Sequence, residues 1–302
     1  MAMLPFDDRD GVIWFNGELL PWRDATVHVL THGLHYGSCV FEGERCYGGT
    51  IFKMTEHHER LHESARVLGF EIPYSVAEID AAAETVLQAN GIVDGYVRPV
   101  AWRGSEMMGV SAQQTRINVA IAAWDWPAYF TPEARLKGIR MTVSQWRRPA
   151  PDTAPTKSKA AGLYMICTLS KHAAEARGYN DALMLDYRGR IAEATGANVF
   201  LVQDGKLHTP DPDCFLDGIT RRTVIELARQ RGYEVIERAI MPDELAKTSE
   251  VFITGTAVEV TPVCEIDQYS FTPGEITKDL LTAYDALVQQ QPAPLAAVSA
   301  AE

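Results

Sequence analysis

The chain has 302 residues, of which 28 are Lys or Arg and 40 are Asp or Glu, giving a formal net charge of −12. That balance argues against nucleic acid or an anionic membrane as the main partner, while leaving room for a local basic pocket that takes a small anion. With 46% apolar and 23% charged residues, the composition is that of a water-soluble globular protein, long enough for about two domains and a core that needs no disulfide or metal staple.

In chain order, the opening MAMLPFDDRDG lacks the basic and apolar blocks of a secretory signal. Residues 12–15 and 18–20 flank Asn16-Gly17, which predicts a hairpin on a type I′ turn. Residues 55–68 read as a helix. Ser75-x-x-Glu78 is a capping box, followed by Ile79, Ala82, Ala83, Val86 and Leu87 at helical spacing, with Gly91 to close the helix. Residues 97–101 and 117–123 read as strands. Pro127, Pro132, Pro149, Pro151 and Pro155 punctuate the middle of the chain and put the change of domain near residues 127–137.

Beyond it come a strand at 140–145 and a helix at 163–177 stopped by Gly178. Strands at 182–186 and 191–194 flank the turn Tyr187-Arg188-Gly189-Arg190. A second hairpin joins 198–203 to 206–209 through Asp204-Gly205. A helix at 220–231, strands at 250–254 and 259–263, and a helix at 274–290 complete the reading. The Ala-, Pro- and Gln-rich tail, 291–302, is expected to be disordered. No run approaches the roughly 18 consecutive apolar residues of a membrane-spanning helix. Cys39, Cys46, Cys167, Cys214 and Cys264 are scattered without a C-x-x-C pair, so reduced thiols in the cytoplasm are expected. Antiparallel hairpins mixed with helices, rather than strict βαβ alternation, give an α+β reading in two parts.

Several motifs bear on chemistry. His58-Glu59-Arg60-Leu61-His62 is a literal H-E-x-x-H, which on a helix would offer two zinc ligands and a general base. It lacks a distinctive third ligand, Glu78 and Glu84 being ordinary, and a solvated helix face is the plainer expectation. G-x-G-x-x-G, Walker A and G-x-S-x-G loops are absent from the sequence. Leu216-Asp217-Gly218-Ile219-Thr220 runs into a helix whose free N–H groups would hold an anion, and Gly255-Thr256-Ala257 after a strand suits the same use. Lys159 lies among small residues, where burial and a cationic neighbour would lower its pKa and favour Schiff-base chemistry, but chemistry alone does not separate it from Lys157. Glu193, at the end of an apolar strand, would suit a protonated ring nitrogen.

Taken together, His35-Tyr36-Gly37, Phe41-Glu42-Gly43, Arg60-Leu61-His62, Tyr96-Val97-Arg98-Pro99, Lys159-Ala160-x-Gly162-x-Tyr164, Glu193-Ala194-Thr195-Gly196-Ala197-Asn198, Gly218-Ile219-Thr220-Arg221 and Gly255-Thr256-Ala257 stand in an order and spacing that resembles the class IV aminotransferases, specifically the branched-chain amino-acid aminotransferases. The resemblance runs from about Trp14 to Tyr284. It implies a two-domain fold-type IV enzyme with pyridoxal 5′-phosphate as cofactor: a small N-terminal α/β domain (1–127), an interdomain loop (128–137) and a larger pseudobarrel domain (138–290). Lys159 would be the Schiff-base lysine and proton carrier, and Glu193 would pair with the pyridine nitrogen. Arg60, Leu216, Gly218, Ile219, Thr220, Gly255 and Thr256 would line the phosphate and cofactor site, with Tyr164 beside the phenolic oxygen.

The resemblance also implies substrate contacts. Tyr36, Phe41, Gly43, Trp126 and Tyr129 would wall an apolar pocket, and Thr256 and Ala257 would take the α-carboxylate. Tyr96 and Arg98 match a Tyr-x-Arg pair in which Arg98 meets the distal carboxylate of glutamate. Met108 and Val110 lie in a loop lent by a neighbouring subunit, so a homodimer or larger homo-oligomer is expected. Ala194 and Ala197 stand where many relatives carry Gly and Glu, which bears on the hydrogen bonds supporting Glu193. The implied activity is ping-pong amino transfer between leucine, isoleucine or valine and 2-oxoglutarate. Its partners would be small amino acids and 2-oxo acids, not nucleic acid or membrane, and no metal is required. The rivals are a class IV relative acting on D-amino acids or (R)-amines or as a lyase, a zinc hydrolase built on His58, Glu59 and His62, and a non-catalytic binding module. If Arg60 faces the cofactor, it points roughly 200° away from His58 on a helix, which turns the histidine pair elsewhere.

Overall fold

A computed structural model of the protein describes residues 5–126 and 135–289. The Asn-Gly signal is realised in β1 (Val12–Phe15) and β2 (Glu18–Pro21): Asn16 and Gly17 have φ of 50° and 102°, the two left-handed residues that a type I′ turn demands. A short helix α1 (His32–Tyr36) and strands β3 (Cys39–Phe41), β4 (Glu44–Tyr47) and β5 (Thr50–Ile51) follow. These short elements were not expected, because two to five residues carry too little periodicity to register. Then come α2 (Met54–Val67), α3 (Val76–Asn90) and two long strands, β6 (Gly95–Arg103) and β7 (Ile117–Asp125). The sheet order is β2-β1-β7-β6-β4-β5, with β3 also paired to β6. Leu61 and Ala65 of α2 and Ile79, Ala83 and Val86 of α3 bury their stripe against Val97, Val119 and Ile121 of this sheet. The capping box is present: Ser75 Oγ accepts from the Glu78 N–H, and the Glu78 carboxylate accepts from the Ser75 N–H at 2.7 Å.

The second half runs through β8 (Ile139–Arg148), α4 (Met165–Ala176), β9 (Asp181–Asp186), β10 (Ile191–Ala194), β11 (Asn198–Gln203) and β12 (Lys206–Thr209). It continues through α5 (Ile219–Gln230), β13 (Val235–Glu237), β14 (Glu250–Gly255), β15 (Glu259–Ile266), β16 (Tyr269–Ser270) and α6 (Glu275–Gln289). The helix expected from residue 163 begins as a 3₁₀ turn, Ala161–Tyr164, before α4 takes over. β10 pairs with β9 on one side and, through Glu193 and Asn198, with β11 on the other. That second pairing closes β8, β9, β10, β11, β14 and β15 into a ring, the barrel-like sheet of the second half. Met141, Leu183, Val199, Leu201, Ile253 and Val263 form one cluster of its core, while Phe200, Val202 and Phe252 pack against Val224 and Ala228 of α5 and Leu280 and Tyr284 of α6. The expected connecting segment lies largely outside the described residues, and the tail wholly so. Among the described residues no helix is long and apolar enough to cross a membrane.

Candidate active site

One cleft gathers residues from both halves: Gly43, Arg60 and Tyr96 from the first, and Lys159, Tyr164, Glu193, Thr220 and Thr256 from the second. Lys159 lines it and is half-buried, whereas Lys157 is exposed outside it. The Lys159 ammonium donates to the Tyr164 hydroxyl at 3.2 Å and lies 5.1 Å from the centre of the Phe41 ring. Phe41 and Tyr164 meet edge to face. The expected lowering of the lysine pKa does not hold. Burial and the nearby Arg60 do push it down, but Tyr164 and Glu42 outweigh them and hold the ammonium above its ordinary value.

One end of the cleft is built on the start of α5. This helix has no side-chain cap, so its first N–H groups remain available, and its dipole favours negative charge there. Asn198 shapes the approach: its amide donates to the Leu216 carbonyl at 3.0 Å and its oxygen accepts from the Gly218 N–H at 3.2 Å. A side chain at Gly218 would place its Cβ 2.3 Å from that oxygen, so only glycine fits. Arg60 faces this end from α2. Its Nε and Nη2 donate to the two oxygens of Glu42 at 2.7 and 2.8 Å, and Nη1 reaches the Asp217 carbonyl at 3.4 Å. Glu42 is wholly buried and also meets His57 Nδ1 at 2.8 Å. Burial opposes its ionisation, yet Arg60 and His57 hold it far below the usual carboxylate range. Leu216, Ile219, Thr220 and Gly255 line the same cleft.

At another wall stands Glu193. Burial pushes its carboxyl up to about 7, while Arg148 and Lys159 pull it back. Arg148, itself buried at the end of β8, places Nε 3.2 Å from Glu193 Oε1 and donates through Nη1 to Cys167 Sγ. Arg148, Glu42 and His57 escaped the sequence reading as site residues. Glu42 did stand in a quoted motif, but its partners are 15 and 18 residues away, and only the fold brings them together.

The remaining expected residues divide. Tyr96 lines the cleft, stacks on Trp124 and tilts against Trp126, which flanks a neighbouring concavity rather than the cleft. Arg98 donates to the Tyr96 hydroxyl at 3.3 Å and lies over the Phe41 ring. Gly43 approaches Tyr96 so closely that an added Cβ would fall 1.8 Å from its hydroxyl. Ala257 joins Thr256 at the cleft. Tyr36 is not among the cleft residues; it stacks on His32 and stays largely exposed. Met108 and Val110 are 49% and 87% exposed and do not line the cleft of their own chain. Tyr129 lies outside the described residues.

The H-E-x-x-H stretch is solvated only in part: Glu59 is exposed and His62 half-buried, but His58 is not. His58 is fully buried, with Nδ1 hydrogen-bonded to Asp80 at 2.5 Å and Nε2 3.1 Å from Glu44, so both ring nitrogens face carboxylates. Burial lowers its pKa, but the two carboxylates outweigh that and hold the imidazole above its usual value. Arg60 points into the cleft, away from this pair, as the helical angle requires.

The cleft thus sets the uncapped start of a helix, where an anion is favoured, beside a half-buried lysine. Residues 39–266 match the family described as Amino-transferase class IV, and the chain belongs to it. It is 42% identical over 288 residues to the branched-chain-amino-acid aminotransferase of Pseudomonas aeruginosa, covering 93% of this chain and 94% of that one. Among solved structures, the T.th. branched-chain amino acid aminotransferase with pyridoxamine 5′-phosphate superposes with a TM-score of 0.91 at 40% identity, covering 94% of this chain and 96% of that one. The same T.th. protein complexed with N-(5′-phosphopyridoxyl)-L-glutamate gives 0.89 at 38% identity over the same shares of the two chains.

Proposed function

We propose that the protein is a pyridoxal-phosphate-dependent aminotransferase that exchanges the amino group between branched-chain L-amino acids (leucine, isoleucine, valine) and 2-oxoglutarate or glutamate in a ping-pong reaction. The observation that carries this reading is the convergence of the Lys159 amine, the Glu193 carboxyl and the uncapped start of α5 on one cleft. Their chemistry fits a phosphorylated pyridine aldehyde: an amine for the carbonyl, an acid for the ring nitrogen, and N–H groups with Arg60 for the phosphate. Thr254, whose buried hydroxyl has no protein partner, lines the same cleft.

When bound, the cofactor supplies an electrophilic carbonyl and a ring that accepts electron density from the substrate Cα. Arg60, Ile219, Thr220 and Thr256 bind its phosphate. Glu193, whose ionisation Arg148 favours against the burial that raises its pKa, would hold a proton at the ring nitrogen. Lys159 Nζ would carry the proton from the substrate Cα to the carbon of the cofactor's carbonyl. Tyr164 orients that amine through its hydroxyl. Phe41 and Tyr96 exclude water around an apolar side chain, with Trp126 behind the Tyr96 ring, Arg98 meets the distal carboxylate of glutamate, and the N–H groups of Thr256 and Ala257 receive the α-carboxylate. The glutamate adduct of the T.th. protein supports the acidic partner of this pair. We also take residues 1–127 and 138–290 as its two domains and place the protein in the cytoplasm as a homodimer or larger homo-oligomer.

The test is direct. Purified with pyridoxal phosphate, the protein is expected to be yellow, to fix a borohydride label on Lys159, and to pass the amino group of L-leucine to 2-oxoglutarate. Lys159→Ala is expected to abolish transfer without unfolding. A label on Lys157, or faster transfer from D-alanine or an (R)-amine than from L-leucine, would overturn the assignment.

A further inference from the structure

Lys159 belongs in sequence to the approach to the barrel half, yet its main chain is held by the first half. Its N–H donates to Ser64 Oγ at 3.0 Å, and its carbonyl accepts from the Phe41 N–H at 3.2 Å, beside an isolated bridge between Val40 and Ala160. The Ser158 hydroxyl donates to the Ser64 carbonyl at 3.0 Å. Two consecutive residues of the lysine segment therefore end on one serine of α2. Ser64 is fully buried and Ser158 only 2% exposed. Ser64 also stands four residues after Arg60, which puts both on one face of the helix. One rigid helix thus touches the anion end of the cleft through Arg60 and the amine end through Ser64.

We propose that Ser64 is a positioning residue for Lys159: it fixes the main chain of the reacting lysine at a set distance from Arg60, so that α2 acts as a spacer between the two ends of the site. The inference rests on the reading of Lys159 as the reacting amine. A lysine amine sits at the end of a flexible four-carbon stem, so its placement is only as good as that of its Cα. Without Ser64 Oγ the Lys159 N–H loses its partner in the interior, and the segment shifts to find another. A reacting group displaced by about 1 Å costs up to about a hundredfold in rate.

The experiment uses the full-length holoenzyme with Ser64→Ala, Ser64→Thr and Ser158→Ala. Rate constants of the half-reaction are measured with L-leucine and L-glutamate separately, together with amide hydrogen exchange at Lys159. Ser64→Ala is expected to slow both half-reactions by about tenfold or more, with KM within about twofold, because a shifted amine acts on chemistry and not on substrate contacts. Exchange at the Lys159 amide is expected to quicken. Ser64→Thr, which keeps the hydroxyl, is expected to restore both readouts. A Ser64→Ala enzyme that is merely less heat-stable, with its rate constants unchanged, would make Ser64 structural and overturn the proposal. If Ser64→Ala does not fold, Ser158→Ala decides: a smaller loss of rate at unchanged KM is expected, and an unchanged rate would overturn it. Peptide mapping of the borohydride label in the unaltered enzyme separates the two readings. A label elsewhere removes Lys159 as the reacting amine, while a label on Lys159 with an indifferent Ser64 removes only this proposal.

Discussion

Glu193 is buried where an ionised carboxyl is costly, and its surroundings set its pKa at about 7 against 4.5 for a free glutamate side chain. Over that window the folded protein binds more protons than the unfolded chain, so this residue makes stability fall as pH rises from about 4.5 through about 7. Glu193→Gln removes the titrating group while keeping its shape. In cofactor-free protein the variant is therefore expected to match the unaltered chain near pH 4 and to exceed it above pH 8 by on the order of 3 kcal/mol. Denaturant unfolding across a pH series measures the difference, and parallel curves would show that the carboxyl titrates as an ordinary one. The same substitution is expected to lose most turnover, because a neutral amide does not hold a ring nitrogen protonated. The site keeps a destabilising acid for the sake of its chemistry.

Among the elements, those with a strong local cause were legible in the sequence. The two hairpins turn at Asn16-Gly17 and Asp204-Gly205, all four residues at positive φ, and α3 carries both its capping box and an unbroken apolar stripe. The short strands β3, β4 and β5 were not legible, because long-range pairing to β6 rather than local pattern creates two of them. The same distinction holds in the site. Motifs on one stretch of chain, such as Lys159 to Tyr164 or Gly218 to Thr220, were readable, whereas the Glu42–His57–Arg60 and Arg148–Glu193 contacts exist only once distant elements meet. Gly43 joins the two scales, since β3 and β4 approach β6 there with no space for a side chain beside Tyr96. Gly43→Ala is expected to push the Tyr96 ring out of place and break its bond with Arg98. Turnover of leucine should fall at least about tenfold, in line with the cost of displacing substrate-positioning groups. Affinity for pyridoxal phosphate is expected to stay near that of the unaltered protein, and a parallel loss of cofactor binding would show that the damage reaches the whole cleft.

At the scale of the whole molecule, the sheet of the first half has one face covered by α2 and α3 and an opposite side that remains apolar. Phe15, Val27, Leu34, Val100 and Trp102 line a concavity there, and Leu34 is 65% exposed. Contiguous exposed apolar surface of this kind marks association, since leaving it in water forgoes about 25 cal/mol for each Å² that a partner would cover. The loop carrying Met108 and Val110 is tied to the same region: the Gly109 carbonyl lies 2.8 Å from His32 Nε2, and His32 belongs to α1 with Leu34. Arg98 also lines the concavity while bonding to Tyr96 of the cleft, so one hydrogen bond links the apolar face to the cleft wall. A second copy seated on this face would bury Leu34 and bring its own exposed loop toward the neighbouring cleft. Leu34→Glu sets a charge at that contact, where an unpaired carboxylate is strongly disfavoured. If this face carries a subunit contact, the variant is expected to show a lower molecular mass by light scattering than the unaltered chain at the same protein concentration. Leucine transfer is expected to fall with it, while cofactor binding is expected to be retained, since Leu34 lies away from the cleft residues. Unchanged mass and unchanged transfer would put the subunit contact on another face of the molecule and leave Met108 and Val110 without a part in the site.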